Sequence, residues 1–418
     1  MKKERGITLV ALVVTIVVLL ILAGISLNLA IGNEGILTRS KEATNKYEKQ
    51  AENEQQGLNN VDDWMDEQFG DTGMKKVTVN TKATKNGTIN GQEPNINNPI
   101  IPKGYTPINA GSATWGDGNS SPAPSSIDNG LVIKDDNNNE WVWIPVEASV
   151  LSGMYASSNE GIALSGDVGV TTKMYTKTTT IGRTGDTVTL PRSTPNTTEV
   201  REPDLVTDYD KDEAYYKTIL GVNTPKTMAE AFTSDYANMI ASIQKYGGFY
   251  IGRYELSKEG VQKGKATLTN KNWYELYKKC ITLNASEKVG SRMIWGIQWD
   301  LVCDFISKKG EQKSITNSTT WGNCSDSTGS AAVMDGTTQK YGSKQVTGYS
   351  EYWKANNIYD LAGNCYEWTQ EAVSTFRRAI RGGFYNISGS VIPAYFCGWS
   401  GAISDSSDNL RFSSHFNN

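Results

Sequence analysis

Few residues of the types that catalyse reactions or bind metals occur in this sequence. The single histidine, His415, lies close to the C-terminus. One histidine excludes sites that need two histidine ligands and makes Ser-His-Asp and Cys-His mechanisms improbable. We interpret His415 as a solvated side chain. The sequence therefore predicts no catalytic residue, no metal ligand and no cofactor.

The cysteines show no spacing that is typical of zinc sites or dithiol redox motifs. Because the count of five is odd, at least one cysteine has no disulfide partner within the monomer. One or two disulfides remain compatible with the sequence, which does not determine the pairing. The cysteines are Cys280, Cys303, Cys324, Cys365 and Cys397.

Charge and composition narrow the class of partner. The formal net charge is −4, and the chain has no long block of lysine and arginine. A nucleic-acid partner is therefore not expected. The 11 tryptophans, 20 tyrosines and 40 glycines favour short strands, tight turns and aromatic contact surfaces over long helices.

The N-terminal segment is apolar enough to cross a membrane. Residues Ile7 to Asn33 include no charged residue, and about 20 apolar residues in a helix span a bilayer core. The preceding Lys2, Lys3 and Arg5 place that end in the cytoplasm. We therefore expect a membrane-anchored protein with an extracellular domain. A conventional signal peptide is the competing interpretation, but its apolar stretch should be shorter.

The order of a short basic leader, Gly6 and an apolar run from Ile7 resembles the leader of type IV prepilins and pseudopilins. The resemblance implies cleavage after Gly6 by a prepilin peptidase, methylation of Ile7, and insertion into the cytoplasmic membrane. Pilins that polymerise usually carry glutamate at the fifth mature position, where this chain has Ala11. Anchoring is therefore favoured over assembly with other pilins into a filament.

Composition and periodicity divide the chain into four parts: a leader (1–6), a transmembrane helix and helical stalk (7–70), a linker rich in threonine, asparagine and glycine (71–99), and a binding domain (100–418). We expect residues 151–225 to be a strand-poor insertion in that domain. The predicted elements are a hairpin over Leu131–Val146, helices over Thr227–Tyr246, Trp273–Cys280 and Trp299–Ile306, and a strand over Phe249–Glu255.

Three motifs in the C-terminal half have the order found in a known family. They are Gly248–Glu255, Asn357–Thr369 and Arg378–Tyr385. They resemble the formylglycine-generating-enzyme-like (sulfatase-modifying-factor) superfamily, a branch of the C-type-lectin-like fold. The resemblance implies an α+β chain in which a long transmembrane and stalk helix precedes an irregular C-type-lectin-like domain.

We interpret the glycines, the tryptophan and the polar residues beside them in these motifs as scaffold, because glycine permits unusual backbone geometry and tryptophan supplies large buried area. A partly buried ion pair is expected between Glu367 and Arg381. The predicted scaffold residues are Gly363, Asn364, Glu367, Trp368, Arg381, Gly382 and Gly383.

The oxidase chemistry of that superfamily lacks its ligands in this chain. In this chain the Arg-Gly-Gly motif of the superfamily is Arg381–Gly383. The enzymes bind copper through two cysteines that follow this motif, whereas only Cys397 follows it here. The related sulfoxide synthases need several iron-binding histidines. We therefore expect a protein that is not an enzyme. A copper-dependent oxidase and a structural minor pilin or pseudopilin are the alternative hypotheses.

The segment after the Arg-Gly-Gly motif has the composition of a recognition surface. Aromatic residues are mixed with serine, glycine and asparagine, without helical or strand periodicity, as in antibody loops. The segment resembles the variable proteins of diversity-generating retroelements, which implies a diversified surface that binds an extracellular protein or glycan. An irregular loop packed on the core is the alternative. The expected ligand-binding residues are Phe384, Tyr385, Ile387, Val391, Ile392, Tyr395, Phe396, Cys397, Gly398, Trp399, Ser400, Gly401, Ser404, Ser406, Ser407 and Asp408.

Overall fold

The chain divides into two units, residues 1–71 and 72–418, and every residue described below belongs to the second. The predicted leader, with Gly6 and Ile7, and the predicted transmembrane and stalk helix fall outside the described residues. The computed structural model describes residues 76–109, 124–154, 179–190, 228–283, 289–328, 341–374, 377–399 and 412–415.

Short helices and strands make up the described part of the chain. The helices are α1 (Pro124–Asp128), α2 (Ala148–Met154), α3 (Met228–Tyr246), α4 (Trp273–Leu283) and α5 (Gly296–Lys308). The strands are β1 (Thr106–Pro107), β2 (Val132–Lys134), β3 (Glu140–Pro145), β4 (Thr179–Ile181), β5 (Val188–Leu190), β6 (Gly248–Gly252), β7 (Gly290–Met293), β8 (Lys354–Ala355), β9 (Ile358–Tyr359), β10 (Glu367–Ser374), β11 (Arg377–Arg381), β12 (Cys397–Trp399) and β13 (Phe412–His415).

These elements overturn the predicted fold class and location. Among the described residues, no helix is both long and apolar enough to cross a membrane. The longest, α3, has 19 residues, and its one apolar face packs against β6 and β13. The described residues instead form a set of antiparallel sheets with five helices. The predictions of a long transmembrane helix leading into the domain and of a membrane-anchored protein are therefore wrong for the described residues.

A six-stranded antiparallel sheet forms the centre of the unit, in the order β1-β2-β3-β6-β13-β7. The predicted hairpin over Leu131–Val146 is confirmed as β2 and β3. Its turn is closed by Asp135, whose carboxylate accepts hydrogen bonds from the backbone N–H and the side chain of Asn139, both at 2.8 Å. Trp141 and Trp143 of β3 are fully buried, as are Val142 and Ile144 on the opposite face, so both faces of this strand are covered.

The three predicted helices are confirmed with small changes in their ends. Helix α3 buries Tyr236, Met239, Ile240 and Ile243, the residues that recur at helical spacing in the sequence. Helix α4 packs against β7, and α5 packs against β3, β4 and β10. Tryptophans fill the space between these layers; the fully buried ones are Trp141, Trp143, Trp273, Trp295, Trp299, Trp321, Trp353 and Trp368.

The structure differs from the sequence prediction in the predicted linker. Residues 76–99 contribute Val77 and Ile89 to the core, and the Ile96 carbonyl accepts a hydrogen bond from the indole of Trp143 at 3.2 Å. Strand and helix periodicity is missing here because the segment is built from turns and isolated bridges, for which asparagine, glycine and threonine are suited. Lack of periodicity thus indicated an irregular structure, but not an unpacked one.

The predicted insertion, residues 151–225, is described only at residues 151–154 and 179–190. The latter form the β4–β5 hairpin, whose turn residue Asp186 is buried. Its carboxylate accepts hydrogen bonds from the Ile315 backbone N–H at 2.7 Å and the Ser314 hydroxyl at 3.1 Å. The hairpin is thereby fixed to the loop 314–328 that follows α5.

A network of charges surrounds the ring of Tyr359. Lys263, Arg253 and Lys354 carry cations 5.3 to 5.8 Å from its centroid. The Glu351 carboxylate accepts hydrogen bonds from Lys263 at 2.8 Å, from the Tyr359 hydroxyl at 2.6 Å and from Lys354 at 3.2 Å. Burial acts to raise the pKa of Glu351, but these hydrogen bonds outweigh it and lower the pKa from 4.5 to about 2.

We predict that Glu351→Gln lowers the free energy of unfolding at pH 7 by less than about 1 kcal/mol, because the side chain is 42% exposed and solvent screens the charge. The folded-state pKa is depressed, so the stabilisation is fully present above pH 4.5 and is lost as the pH falls towards 2. Urea unfolding at pH 7, 4.5 and 3 measures this, with the exposed Glu147→Gln as control. A difference from the parent that stays constant down to pH 3 would contradict the assignment.

Candidate ligand-recognition surface

A buried carboxylate joins the first two sequence motifs. Glu255 follows β6 and is fully buried. It accepts hydrogen bonds from the Asn364 side chain at 2.5 Å, the Cys365 backbone N–H at 3.1 Å and the Thr267 hydroxyl at 2.9 Å. A buried charge is tolerated when it is compensated by such donors. Glu255 therefore holds the Asn364–Cys365 turn against the central sheet.

Backbone contacts between glycines join the second motif to the third. The Gly363 N–H donates to the Gly382 carbonyl at 2.7 Å. Gly363 and Gly383 have φ angles of 82° and 91°, and a Cβ atom would lie 2.0 Å from the Asn323 carbonyl oxygen at the former and 2.6 Å from the Ile392 carbonyl oxygen at the latter. Only glycine fits both the angle and the space.

Arg381 is the residue through which several elements meet. It lies opposite Glu367 in the β10–β11 register, and both side chains are fully buried rather than partly buried as expected. Its guanidinium is 3.2 Å from the Asp300 carboxylate of α5, and both side chains are 0% exposed. The same Nη1 donates to the Tyr395 carbonyl at 3.5 Å. Asp300 was not expected as the partner of Arg381, because a helical aspartate 81 residues away from its partner carries no local signal in the sequence.

The C-terminal segment from Phe384 to Trp399 is held mainly through its main chain. The Ile387 and Gly389 carbonyls accept hydrogen bonds from the Ser325 and Ser318 backbone N–H groups, at 3.0 and 2.9 Å. The Gly389 N–H donates to the Asp326 carboxylate at 2.8 Å. These contacts attach the middle of the segment to the loop 314–328.

The end of the segment is attached in the same way. The Ala394 carbonyl accepts a hydrogen bond from the Trp299 indole at 3.0 Å, and the Ala394 N–H donates to the Ser318 hydroxyl at 2.9 Å. The Tyr395 N–H donates to the Ile315 carbonyl at 3.2 Å. β12 then pairs with β11. Each of these contacts uses a backbone atom of the segment, so the contacts do not depend on its side chains.

The predicted ligand-binding residues differ in their exposure. Val391 is 69% exposed. Phe384, Tyr385, Ile387, Ile392, Tyr395 and Phe396 are half-buried, whereas Cys397 and Gly398 are buried. Trp399 ends β12, and only its backbone is described. Ser400, Gly401, Ser404, Ser406, Ser407 and Asp408 lie outside the described residues.

Four half-buried rings lie together, three from the ends of the segment and one from the residue before β10. We call Tyr366, Phe384, Tyr385 and Phe396 the aromatic patch. Tyr366 and Phe384 are stacked, with centroids 5.3 Å apart and an interplanar angle of 6°. Phe384 is 4.2 Å from Tyr385, and Tyr366 is 6.5 Å from Phe396. Tyr366 was not among the ligand-binding residues expected from the sequence. The available signal was an aromatic residue directly before the scaffold residues Glu367 and Trp368.

The predicted scaffold residues are all buried: Gly363, Asn364, Glu367, Trp368, Arg381, Gly382 and Gly383. Together with Glu255 they form the support beneath the aromatic patch. Because buried hydrogen-bonded groups resist displacement, the support holds the patch in one position.

The cysteines lie within the core. All five are buried. Burial, and to a smaller extent Asp326, raises the pKa of Cys324 to about 12, which disfavours the reactive thiolate. Within the described residues, no group of three or more His, Cys, Asp or Glu side chains is placed to hold a metal ion.

We predict that Asp300→Asn lowers the free energy of unfolding by about 3–5 kcal/mol, because it removes one charge of a fully buried pair and leaves the Arg381 charge in the core. Guanidinium unfolding measures the loss. The matched control is Glu275→Gln, which removes the carboxylate from the exposed Lys271–Glu275 pair and should cost about 0.5 kcal/mol or less. Equal losses in the two variants would contradict a special role for the buried pair.

We also predict that two alanine substitutions in the segment have different effects. Val391→Ala should change the free energy of unfolding by no more than about 0.5 kcal/mol, because the side chain is exposed. Gly389→Ala should cost about 1–3 kcal/mol, since its Cβ would lie 2.9 Å from the Cys324 sulfur and 3.0 Å from the Ser318 carbonyl carbon. Urea unfolding measures both. Similar losses at the two positions would show that the side chains, too, are part of the core.

Comparison with known proteins adds no family to this geometry. No family model matches the chain, and no curated protein matches it at a significant level.

Proposed function

We propose that this protein is a non-catalytic ligand-binding protein with a role in adhesion or display, and that the aromatic patch and the adjoining C-terminal segment form its recognition surface. The observation that carries the proposal is a difference between the main chain and the side chains of the segment. Its main chain is bonded to the scaffold, while its aromatic side chains remain half-exposed.

The energetics of such a surface favour binding. Tyrosine and phenylalanine present large contact areas and lose little conformational entropy, and a few such anchors supply most of the affinity at protein interfaces. Because a rigid support holds the patch, little further entropy is lost on binding. Val391, at 69% exposure, adds an apolar side chain that a partner would remove from water.

The attachment of the segment through its main chain also supports diversification of its side chains, which the resemblance to retroelement variable proteins implies. A side chain that makes no scaffold contact can be exchanged at little cost in stability. The glycines and backbone hydrogen bonds that hold the segment would be unaffected by such exchanges. We therefore propose that the specificity of this surface changes through exposed side chains such as Val391, while the backbone geometry stays the same.

The proposal is tested by photo-crosslinking in the cells that produce this protein. p-Benzoylphenylalanine replaces Val391 in the full chain, and the control replaces Lys258, an exposed residue after β6. We expect a discrete adduct only at position 391. Phe396→Ala in the same chain should reduce that adduct about tenfold or more, because an aromatic side chain that the partner would cover is lost, and should leave the melting temperature unchanged.

Three results would contradict this proposal. One is the same set of adducts from positions 391 and 258, which would show that capture does not depend on the surface. Another is a large fall in melting temperature with Phe396→Ala, which would place that ring in the core. An adduct that persists unchanged in a well-folded Phe396→Ala chain would remove the patch from the binding site.

A further inference from the structure

We infer that Tyr366, which lies outside the C-terminal segment, is a constant contact residue of the recognition surface, and that the partner it helps to bind is a protein. The inference deepens the proposed function and rests on it. The proposed function concerns a segment whose side chains can change. Tyr366 belongs instead to the scaffold motif that precedes β10 and would stay the same whatever the segment becomes.

The backbone on both sides of Tyr366 is fixed. Cys365 is buried, and its N–H donates to the Glu255 carboxylate at 3.1 Å. Glu367 is fully buried and begins β10, where it pairs in register with Arg381. Tyr366 itself is half-buried between these two buried neighbours. A side chain that leaves the core from such a rigid position is already placed for binding, so little entropy is lost when a partner covers it.

The ring of Tyr366 is part of the contact surface rather than a support beneath it. It stacks on Phe384 with an interplanar angle of 6° at 5.3 Å, an offset arrangement that is favourable for aromatic pairs. Phe396, from the other end of the segment, lies 6.5 Å away. Tyr366 therefore lies between the two ends of the segment and shares a continuous aromatic surface with both.

The chemistry of this surface favours a protein over a glycan. From Gly382 to Ser404 the chain carries no charged residue. The centres of protein interfaces are likewise depleted of charge and enriched in tyrosine and phenylalanine. A glycan presents many hydroxyl groups, and each loses hydrogen bonds to water when it is covered by uncharged, largely apolar side chains. Aromatic, aliphatic and guanidinium groups of a protein match the exposed rings better.

The experiment uses the full chain labelled with 3-fluorotyrosine and observed by fluorine NMR. The probes are N-acetyl-tryptophanamide and N-acetyl-argininamide, which represent protein side chains, and methyl α-glucoside, which represents a glycan. Tyr366→Phe assigns the Tyr366 resonance. We expect both amides to shift that resonance saturably and the glucoside to leave it unchanged. Tyr352, which packs in a different cluster with Tyr349 and Trp353, should not respond.

Affinity for N-acetyl-tryptophanamide is then followed at the Tyr385 resonance in three variants. Tyr366→Ala should weaken binding roughly 3- to 10-fold, because one stacking ring is lost. Tyr366→Phe should retain the affinity, since the ring remains. Tyr352→Ala is the matched control and should bind like the parent chain.

Each opposite result overturns a separate statement. If the amides shift Tyr385 and Tyr395 but not Tyr366, the proposed surface stands and the role of Tyr366 fails. If the glucoside shifts Tyr366 and the amides do not, the assignment of a protein partner fails. If no probe shifts any of these three tyrosines, the proposed function itself fails. Because the resonance of Tyr366 is read in the parent chain, these results do not depend on whether Tyr366→Ala folds.

Discussion

The buried ion pair between Arg381 and Asp300 is the interaction on which the arrangement of the C-terminal half depends. Two charges without solvent are unfavourable unless they meet each other and further hydrogen-bonding groups. The pair therefore specifies how α5 lies against β11, and the same guanidinium reaches the Tyr395 carbonyl. The Arg381 cation of β11 thus contacts both α5 and the end of the C-terminal segment.

The glycines and Glu255 supply the other contacts that hold the three motifs together. Glu255 ties the central sheet to the Asn364–Cys365 turn. Gly363 and Gly383 leave space for the carbonyl oxygens of Asn323 and Ile392, which a Cβ atom would displace. The support beneath the aromatic patch is consequently polar, buried and built largely from main-chain contacts. Under the proposed function this construction separates two tasks, because the backbone contacts would supply stability and the side chains that the backbone presents would supply recognition.

Local patterns in the sequence were sufficient for elements that depend on local forces. The face of α3 followed from apolar residues at helical spacing, and the β2–β3 hairpin followed from two apolar runs around an Asp-Asn turn. Residues 76–99 were misjudged because irregular segments pack through turns that have no period. The predicted membrane location was drawn from residues 7–70, which are not among the described residues, and the helices that are described do not support it.

The sequence by itself indicated which residues form the buried scaffold, and it determined the uncharged, aromatic composition of the segment that follows them, since residue types and their order carry this information directly. Only the tertiary structure decided that Asp300 is the buried partner of Arg381, that the segment is held through its main chain, and that Tyr366 joins its two ends. These facts arise from contacts between residues far apart in the chain. Such contacts depend on how the layers pack, and no spacing within one segment encodes them.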